Sequence, residues 1–120
     1  MPNLCVLSIN VSDIQQAQQF YCDVLGFEIS KVYDDQIVSL KHEGMSLVLQ
    51  KCDRPTDTEY PHEAQVIIGI ETPDVNEAIA NYKSKGVDVI FDTPKPCPPG
   101  LYSAIRDPFG NVIELLEFTE

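Results

Sequence analysis

Two stretches of sequence decide the fold, SDIQQAQQFYCDVLGFEI at residues 12–29 and PDVNEAIANYKSKGVDVI at residues 73–90. Apolar residues recur in both with the spacing of an amphipathic helix, which predicts helices over 13–25 and 74–85. Laid one under the other, the stretches carry the same residue types at three matching places: Asp13 with Asp74, Ala17 with Ala78, and Tyr21 with Tyr82. The chain is therefore predicted to repeat one structural module.

Start and stop signals frame both predicted helices. Ser12 with Gln15 has the pattern of a capping box at the start of the first helix. Thr72 offers an N-cap to the second, with Pro73 at the first helical position. A glycine follows each helix, Gly26 and Gly86, where a left-handed C-terminal residue is needed.

Segments rich in β-branched and aromatic residues predict four strands in each half of the chain. They cover residues 4–11, 27–33, 36–41 and 45–51, and then 64–71, 87–91, 102–106 and 112–118. Each half thus has the order β-α-β-β-β. We predict one domain over 1–120, with modules at about 1–55 and 62–120 and a polar, proline-bearing linker at 53–63. The loop TPKPCPPG at 93–100 is expected to be too rich in proline to pair in a sheet, and to serve as a stiff lid or as a plain connection.

Composition narrows the class of partner. Eight basic residues against 19 acidic ones give a net charge of −11, a field that repels phosphate backbones and favours cationic or neutral small molecules. No apolar run approaches the roughly 20 residues of a membrane helix, and the N-terminus lacks the pattern of a signal peptide. The four cysteines show no C-x-x-C pair, so neither a zinc knuckle nor a disulfide framework is expected. We expect a cytoplasmic protein that binds neither nucleic acid nor membrane.

The tandem βαβββ order, FYCDVLGFEI after the first helix and DPFGNVIELLE near the end resemble the vicinal oxygen chelate superfamily of glyoxalase I, bleomycin-resistance proteins and extradiol dioxygenases. The resemblance covers essentially the whole chain and is most specific at the turn 107–111 and the strand after it. It implies an α+β fold, the glyoxalase/bleomycin-resistance fold, in which two βαβββ modules form a curved eight-stranded sheet around a cleft. It also implies a homodimer, because relatives often complete the cleft by pairing.

Alternation of side chains along four of the strands predicts which residues face the cleft. The cleft-facing sets are Val6, Ser8 and Asn10; Ser46, Val48 and Gln50; Gln65, Ile67 and Gly69; and Val112, Glu114 and Leu116. Tyr102 and Arg106, at the two ends of the seventh strand, complete the candidate ligand-binding site.

In metal-dependent relatives such as glyoxalase I, one position on each of these four strands supplies a His or Glu ligand. Carried over to this sequence, the positions fall on Val6, Val48, Ile67 and Glu114, of which Glu114 alone can bind a metal. A catalytic metal normally needs about three protein ligands, so no metal or other cofactor is expected, and a metal held through a shifted register is the alternative. His42, in a turn, and His62, in the linker, lie off the predicted cleft strands.

Glu114 is the candidate catalytic residue. Its neighbours in the sequence are apolar, so an ionised carboxylate would be costly to bury there, and it could act as a general base. The alternatives are a structural glutamate bonded to a neighbouring Ser, Asn or Tyr, and one that simply reaches solvent.

The leading hypothesis for function is metal-independent binding of a small hydrophobic or cationic compound, as the resemblance to the bleomycin-resistance branch implies. The chain has no Trp, so stacking would fall to Phe and Tyr, among Phe20, Tyr21, Phe27, Tyr33, Phe91 and Tyr102. The first alternative is a lyase or isomerase of the glyoxalase type that uses Glu114 as a base or metal ligand. The second is a protein whose cleft is closed and whose sheet surface only mediates association.

Overall fold

The computed structural model describes residues 1–63 and 66–119. The chain divides into two compact units, Met1–Pro55 and Thr56–Glu120. Each unit contains one sheet and one helical segment, as the repeat in the sequence predicts.

The first unit is a four-stranded sheet with a helical segment between its first two strands. Its elements are β1 (Val6–Val11), α1 (Ile14–Gln18) continuing into a π-helical segment (Gln19–Val24), β2 (Ile29–Val32), β3 (Ile37–Leu40) and β4 (Ser46–Lys51). The strands lie in the order β1-β4-β3-β2, and β1 is parallel to β4 whereas the other pairs are antiparallel.

The second unit repeats this topology with one strand more. Its elements are β5 (Ile68–Glu71), α2 (Val75–Ser84), β6 (Asp88–Val89), β7 (Lys95–Cys97), β8 (Gly100–Arg106) and β9 (Val112–Phe118). The order is β5-β9-β8-β6, with β7 also paired to β8, and β5 is parallel to β9. In both units the first strand of the module therefore lies beside its last, and the predicted α+β class is confirmed.

The strand β7 corrects the prediction for the proline-rich loop. Residues 93–100 were expected not to pair, yet Lys95 pairs with Tyr102 and Pro96 with Leu101. The pairing is possible because β7 is three residues long and pairs with one strand, β8. Pro96 has no N–H to donate, but no strand on the other side of β7 needs that hydrogen bond. The described residues thus form sheets of four and five strands where a single sheet of eight was predicted.

Aspartates cap both helices, in place of the residues predicted for that role. The carboxylate of Asp13 accepts a hydrogen bond from the backbone N–H of Gln16, at 3.0 Å, and that of Asp74 accepts one from Glu77, at 3.1 Å. The predictions for Ser12 and Thr72 are therefore wrong by one and two residues. The first helix also differs from the prediction, because its α-helical part stops at Gln18 and the rest is π-helical.

Alternate strand residues and the inner faces of the helical segments form the cores. In the first unit Val11, Tyr21, Val38 and Leu49 are fully buried, and in the second Val75, Ile105 and Ile113 are. The fifth strand begins at Ile68, later than predicted, and Ala64 and Gln65 lie outside the described residues. Of the helices in the described residues, none has the length and apolar character needed to cross a membrane.

Candidate functional site

The first unit places its predicted cleft residues on one face of the β1–β4 pair. Val6, Ser8 and Asn10 are exposed, whereas Ile9 and Val11, which alternate with them, are buried. In the parallel register Val6 lies beside Ser46, Ser8 beside Val48 and Asn10 beside Gln50. The alternation predicted for these two strands matches their burial.

In the second unit Glu114 occupies the middle of the corresponding face. On β9 it lies between Gly69 of β5 and Ala104 of β8. The next pairs on the same face are Val112 with Arg106 and Leu116 with Tyr102. Ile67 is half-buried just before β5, and Gln65 lies outside the described residues. Strand β9 therefore brings Glu114, Val112, Tyr102 and Arg106 together.

The immediate sequence neighbours of Glu114 do not surround it in space. Ile113 and Leu115 are buried on the opposite face of the sheet, the face on which α2 packs. Glu114 itself is partly exposed. The expectation of an apolar setting, which rested on residues adjacent in the sequence, holds on this face only for Val112 and Leu116.

Residues 56–60, which were predicted as part of the linker, bond to the turn before β9, to β8 and to β9, and we call them the 56–60 segment. The backbone N–H of Thr56 donates to the Phe109 carbonyl oxygen at 2.9 Å. Arg106 Nη1 donates to the carbonyl oxygen of Thr58 at 3.3 Å, and the hydroxyl of Tyr60 donates to Glu114 Oε2 at 2.5 Å. The guanidinium of Arg106, predicted as a ligand-binding group, thus holds this segment.

Three aromatic rings follow one another from Tyr60, the ring whose hydroxyl bonds Glu114. The centroids of Tyr60 and Phe91 are 6.0 Å apart, and those of Phe91 and Tyr102 are 5.9 Å apart in an edge-to-face arrangement. The ammonium of Lys95, on β7, lies 4.6 Å from the centroid of Phe91. We call Tyr60, Phe91, Lys95, Tyr102 and Glu114 the aromatic–carboxylate cluster.

The electrostatics of the cluster keep the phenol of Tyr60 protonated. Burial raises the pKa of Tyr60 well above its ordinary value, and the hydrogen bond to the Glu114 carboxylate and its negative charge raise it further. The phenol therefore remains a donor, and Glu114 is its acceptor. This arrangement matches the alternative in which a tyrosine bonds the glutamate.

Chemically, the cluster offers ring faces for stacking, a carboxylate that accepts hydrogen bonds from cations, and one ammonium group over the ring of Phe91. Sequence reasoning named Tyr102 and Glu114 as site residues and Phe91 as a stacking candidate, but it missed Tyr60 and Lys95. Both fall in segments interpreted as connections, where neither period-2 nor helical patterning indicates which way a side chain points.

The turn before β9 is held by a buried aspartate and thereby fixes the register of Glu114. Asp107 is 4% exposed, and its Oδ1 accepts hydrogen bonds from the backbone N–H groups of Phe109, at 2.9 Å, and Asn111, at 2.8 Å. Its Oδ2 accepts a third from the amide of Asn111, at 2.8 Å. Gly110 completes the turn with a φ of 88°.

No group of three His, Cys, Asp or Glu side chains is placed to hold a metal ion within residues 1–63 and 66–119. Of the positions carried over from the metal-dependent relatives, Val6 and Val48 lie in the first unit, and Ile67 and Glu114 lie in the second. His42 and His62 are both exposed in turns.

The sequence model of the Glyoxalase/Bleomycin resistance protein/Dioxygenase superfamily matches residues 4–115, and the chain belongs to this superfamily. A comparison with curated protein sequences found no match.

Solved structures with the same fold include proteins of different kinds. The chain is similar to a lactoylglutathione lyase from Agrobacterium tumefaciens, with 23% identity, coverage of 98% of this chain and 94% of that one, and a TM-score of 0.72. It is similar to TnmS3, an antibiotic binding protein from Streptomyces sp. CB03234, with 26% identity, 99% and 98% coverage, and a TM-score of 0.69. A glyoxalase family protein from Enterococcus faecalis has 21% identity, 96% and 97% coverage, and a TM-score of 0.75.

Proposed function

We propose that this protein binds a small aromatic compound that carries a cationic group, without a metal ion. The observation that supports the proposal is the aromatic–carboxylate cluster, in which three rings lie in succession about 6 Å apart and the first of them, Tyr60, bonds the Glu114 carboxylate. Ring faces stack on a planar ligand, and the carboxylate accepts a charge-assisted hydrogen bond from its cationic end.

Two further properties of the chain support this ligand class. The net charge of −11 attracts cations to the protein surface. The similarity to TnmS3, an antibiotic binding protein, supports sequestration of an organic compound as the role of the fold here. Binding of this kind needs no reaction and no cofactor.

The test uses tryptamine and tryptophol, which share an indole ring and differ by an ammonium against a hydroxyl group. Because the chain contains no Trp, the fluorescence anisotropy of the ligand's own indole reports binding without interference from the protein. Tryptamine is expected to bind more tightly. Glu114→Gln, which is nearly isosteric, should weaken tryptamine by roughly 1–3 kcal/mol, the usual scale of a charge-assisted hydrogen bond, while stability changes less.

The control is Glu43→Gln, which removes the same charge from an exposed turn of the first unit and should leave the affinity unchanged. Equal affinities for the two probes, or an unchanged affinity for tryptamine in Glu114→Gln, would remove Glu114 from the proposed site.

Independence from metal is a separate part of the proposal. Val6, Val48 and Ile67 bring no ligand atoms, and a lone carboxylate holds a divalent ion weakly in water. Elemental analysis of protein purified without added metal should find less than stoichiometric zinc, nickel, iron or manganese. One equivalent per chain that survives dialysis would show that the ligand positions were carried over wrongly.

An enzyme of the glyoxalase type is the second candidate, and the exposure of Glu114 favours it. The carboxylate is partly exposed, and its second oxygen, Oε1, could take a proton from a bound substrate. Conversion of the hemithioacetal of a 2-oxoaldehyde and a thiol should then occur and be lost in Glu114→Gln. Absence of turnover, with and without added divalent metal, would leave binding as the function.

We also propose that the protein is a cytoplasmic homodimer. Exposed apolar side chains in the first unit support an interface, among them Val6 at 46%, Ile29 at 38% and Val32 at 55% exposure. The free cysteines at all four positions are compatible with a reducing compartment. Light scattering at micromolar concentration should give twice the chain mass of 13.4 kDa, and a purely monomeric species would contradict the dimer.

A further inference from the structure

The hydrogen bond between Tyr60 and Glu114 places a protein group where the proposed ligand would bind. Tyr60 donates to Oε2 of the carboxylate at 2.5 Å, and its ring lies 6.0 Å from that of Phe91. The rest of the 56–60 segment is anchored independently, through Thr56 on Phe109 and Thr58 on Arg106. Tyr60 can therefore release Glu114 without detaching the segment.

We infer that Tyr60 is the specificity-determining residue of the site: its hydroxyl holds Oε2 of the Glu114 carboxylate in the free protein, and a ligand must displace this hydroxyl to bond to that oxygen. This inference rests on the proposed function. It adds that the site selects cationic nitrogen donors over neutral hydroxyl donors on the same aromatic ring.

The selection follows from what each exchange replaces. A neutral ligand hydroxyl that displaces the phenol exchanges one O–H···O⁻ hydrogen bond for another, so it gains little. An ammonium group makes a charge-assisted bond and adds Coulomb attraction in a partly desolvated setting, so it gains the difference. The bond between the phenol and Glu114 thus sets a threshold, the free energy that a ligand must exceed to displace the phenol. A cationic ligand exceeds it, and a neutral ligand of the same shape does not.

Tyr60→Phe is the sharpest test, because it removes the hydroxyl and keeps the ring against Phe91. Tryptamine should bind about tenfold more tightly to Tyr60→Phe than to the wild type, since a bond to a charged acceptor no longer has to be broken. In the double variant Tyr60→Phe with Glu114→Gln this gain, measured relative to Glu114→Gln alone, should shrink to about twofold or less.

Tryptophol tests the threshold directly. Its affinity for the wild type should not depend on Glu114, because the phenol is not displaced, whereas in Tyr60→Phe its affinity should fall when Glu114 is replaced by Gln. Tyr33→Phe is the matched control, since it removes a phenolic hydroxyl from an exposed position of the first unit and should change neither affinity.

A second measurement avoids variants at Tyr60 that fold poorly. In wild-type protein with isotopically labelled tyrosine, tryptamine should shift the ring resonances of Tyr60, and tryptophol should shift them less. Binding of tryptamine that is unchanged or weaker in Tyr60→Phe, or equal shifts with both probes, would overturn the inference and leave the proposed function standing. No binding of either probe to any variant would instead refute the proposed function itself.

Discussion

The same place in the two repeated units carries different chemistry. In the first unit Val48 of β4 lies beside Ser8 of the parallel strand β1, and in the second Glu114 of β9 lies beside Gly69 of β5. Strand order and direction are shared, so the backbone places both side chains alike within their own sheets. Repetition of the module therefore fixes a position, and the residue at that position decides whether a site forms there.

The connections differ between the units as well. The turn before β4 contains His42, Glu43 and Gly44, all exposed, whereas the turn before β9 is built on the buried Asp107. The second turn also receives the 56–60 segment through Thr56. The second unit thus combines a hydrogen-bonded turn, a bound segment and a carboxylate.

The largest expected difference between the two units is the loss of stability when the turn glycine is replaced by alanine. Gly44 and Gly110 both have positive φ, 82° and 88°, so alanine strains either backbone. A Cβ at Gly44 meets nothing within 4 Å, whereas one at Gly110 would overlap the carbonyl oxygen of Thr56. We expect Gly44→Ala to lower the free energy of unfolding by about 1 kcal/mol and Gly110→Ala by roughly 3 kcal/mol, measured by urea denaturation. Equal losses for the two variants would mean that the 56–60 segment can move away from the new Cβ without lowering the free energy of unfolding.

The buried aspartate should give the next largest difference. Asp107→Ala leaves three N–H donors at the turn without their acceptor, and we expect a loss of about 2–3 kcal/mol in the free energy of unfolding. Glu43→Ala, in the exposed turn of the first unit, should cost less than about 0.5 kcal/mol. Thermal and urea unfolding on both variants measure this, and a loss below 1 kcal/mol for Asp107→Ala would show that the turn is held by other contacts.

The aromatic rings allow a comparison at the level of ligand binding. Each unit has a lysine over a ring: Lys31 lies 4.7 Å from the centroid of Tyr33, and Lys95 lies 4.6 Å from that of Phe91. Phe91→Leu should weaken tryptamine by about 1 kcal/mol, close to fivefold, because an aromatic contact is lost. Tyr33→Leu should have no effect on affinity. Equal effects of the two variants would show that the probe does not distinguish the units.

The repeat in the sequence was sufficient to predict the fold class and the order of the elements apart from β7, because its evidence is spread over many residues. The two-residue period of a strand is enough to predict which side chains of β1 and β9 are buried, and the burial of Ile9 and Ile113 agrees with that prediction. The resemblance carried by the turn at 107–111 indicated the superfamily, which the match over residues 4–115 confirms.

The rest depends on contacts between residues far apart in the sequence. Tyr60 meets Glu114 across 54 positions, and nothing near Tyr60 in the sequence indicates that pairing. Lys95 was missed because a proline-rich segment was not expected to form an edge strand. The predicted helix caps were wrong for a different reason. Each helix start offers two suitable N-cap residues close together in the sequence, and only the backbone geometry decides which of them caps the helix.

The smallest expected effect concerns the ionisation of Tyr60, the partly buried phenol of the second unit. Burial and the Glu114 carboxylate raise the pKa of Tyr60 above its ordinary value of 10.0, so the unfolded chain loses this proton at lower pH than the folded protein does. The contribution to stability is therefore complete below about pH 10 and is lost as the pH rises through the raised folded pKa.

Because the side chain of Tyr60 is partly solvated, we expect this contribution to the free energy of unfolding to be less than about 1 kcal/mol. Thermal midpoints measured from about pH 8 to pH 11 should fall more steeply for the wild type than for Tyr60→Phe. Tyr82, whose pKa burial also raises, is present in both proteins and cancels in the comparison. Parallel curves for the wild type and Tyr60→Phe would mean that the phenol gains nothing from its bond to Glu114, and the proposed displacement by a cation would then have no threshold to overcome.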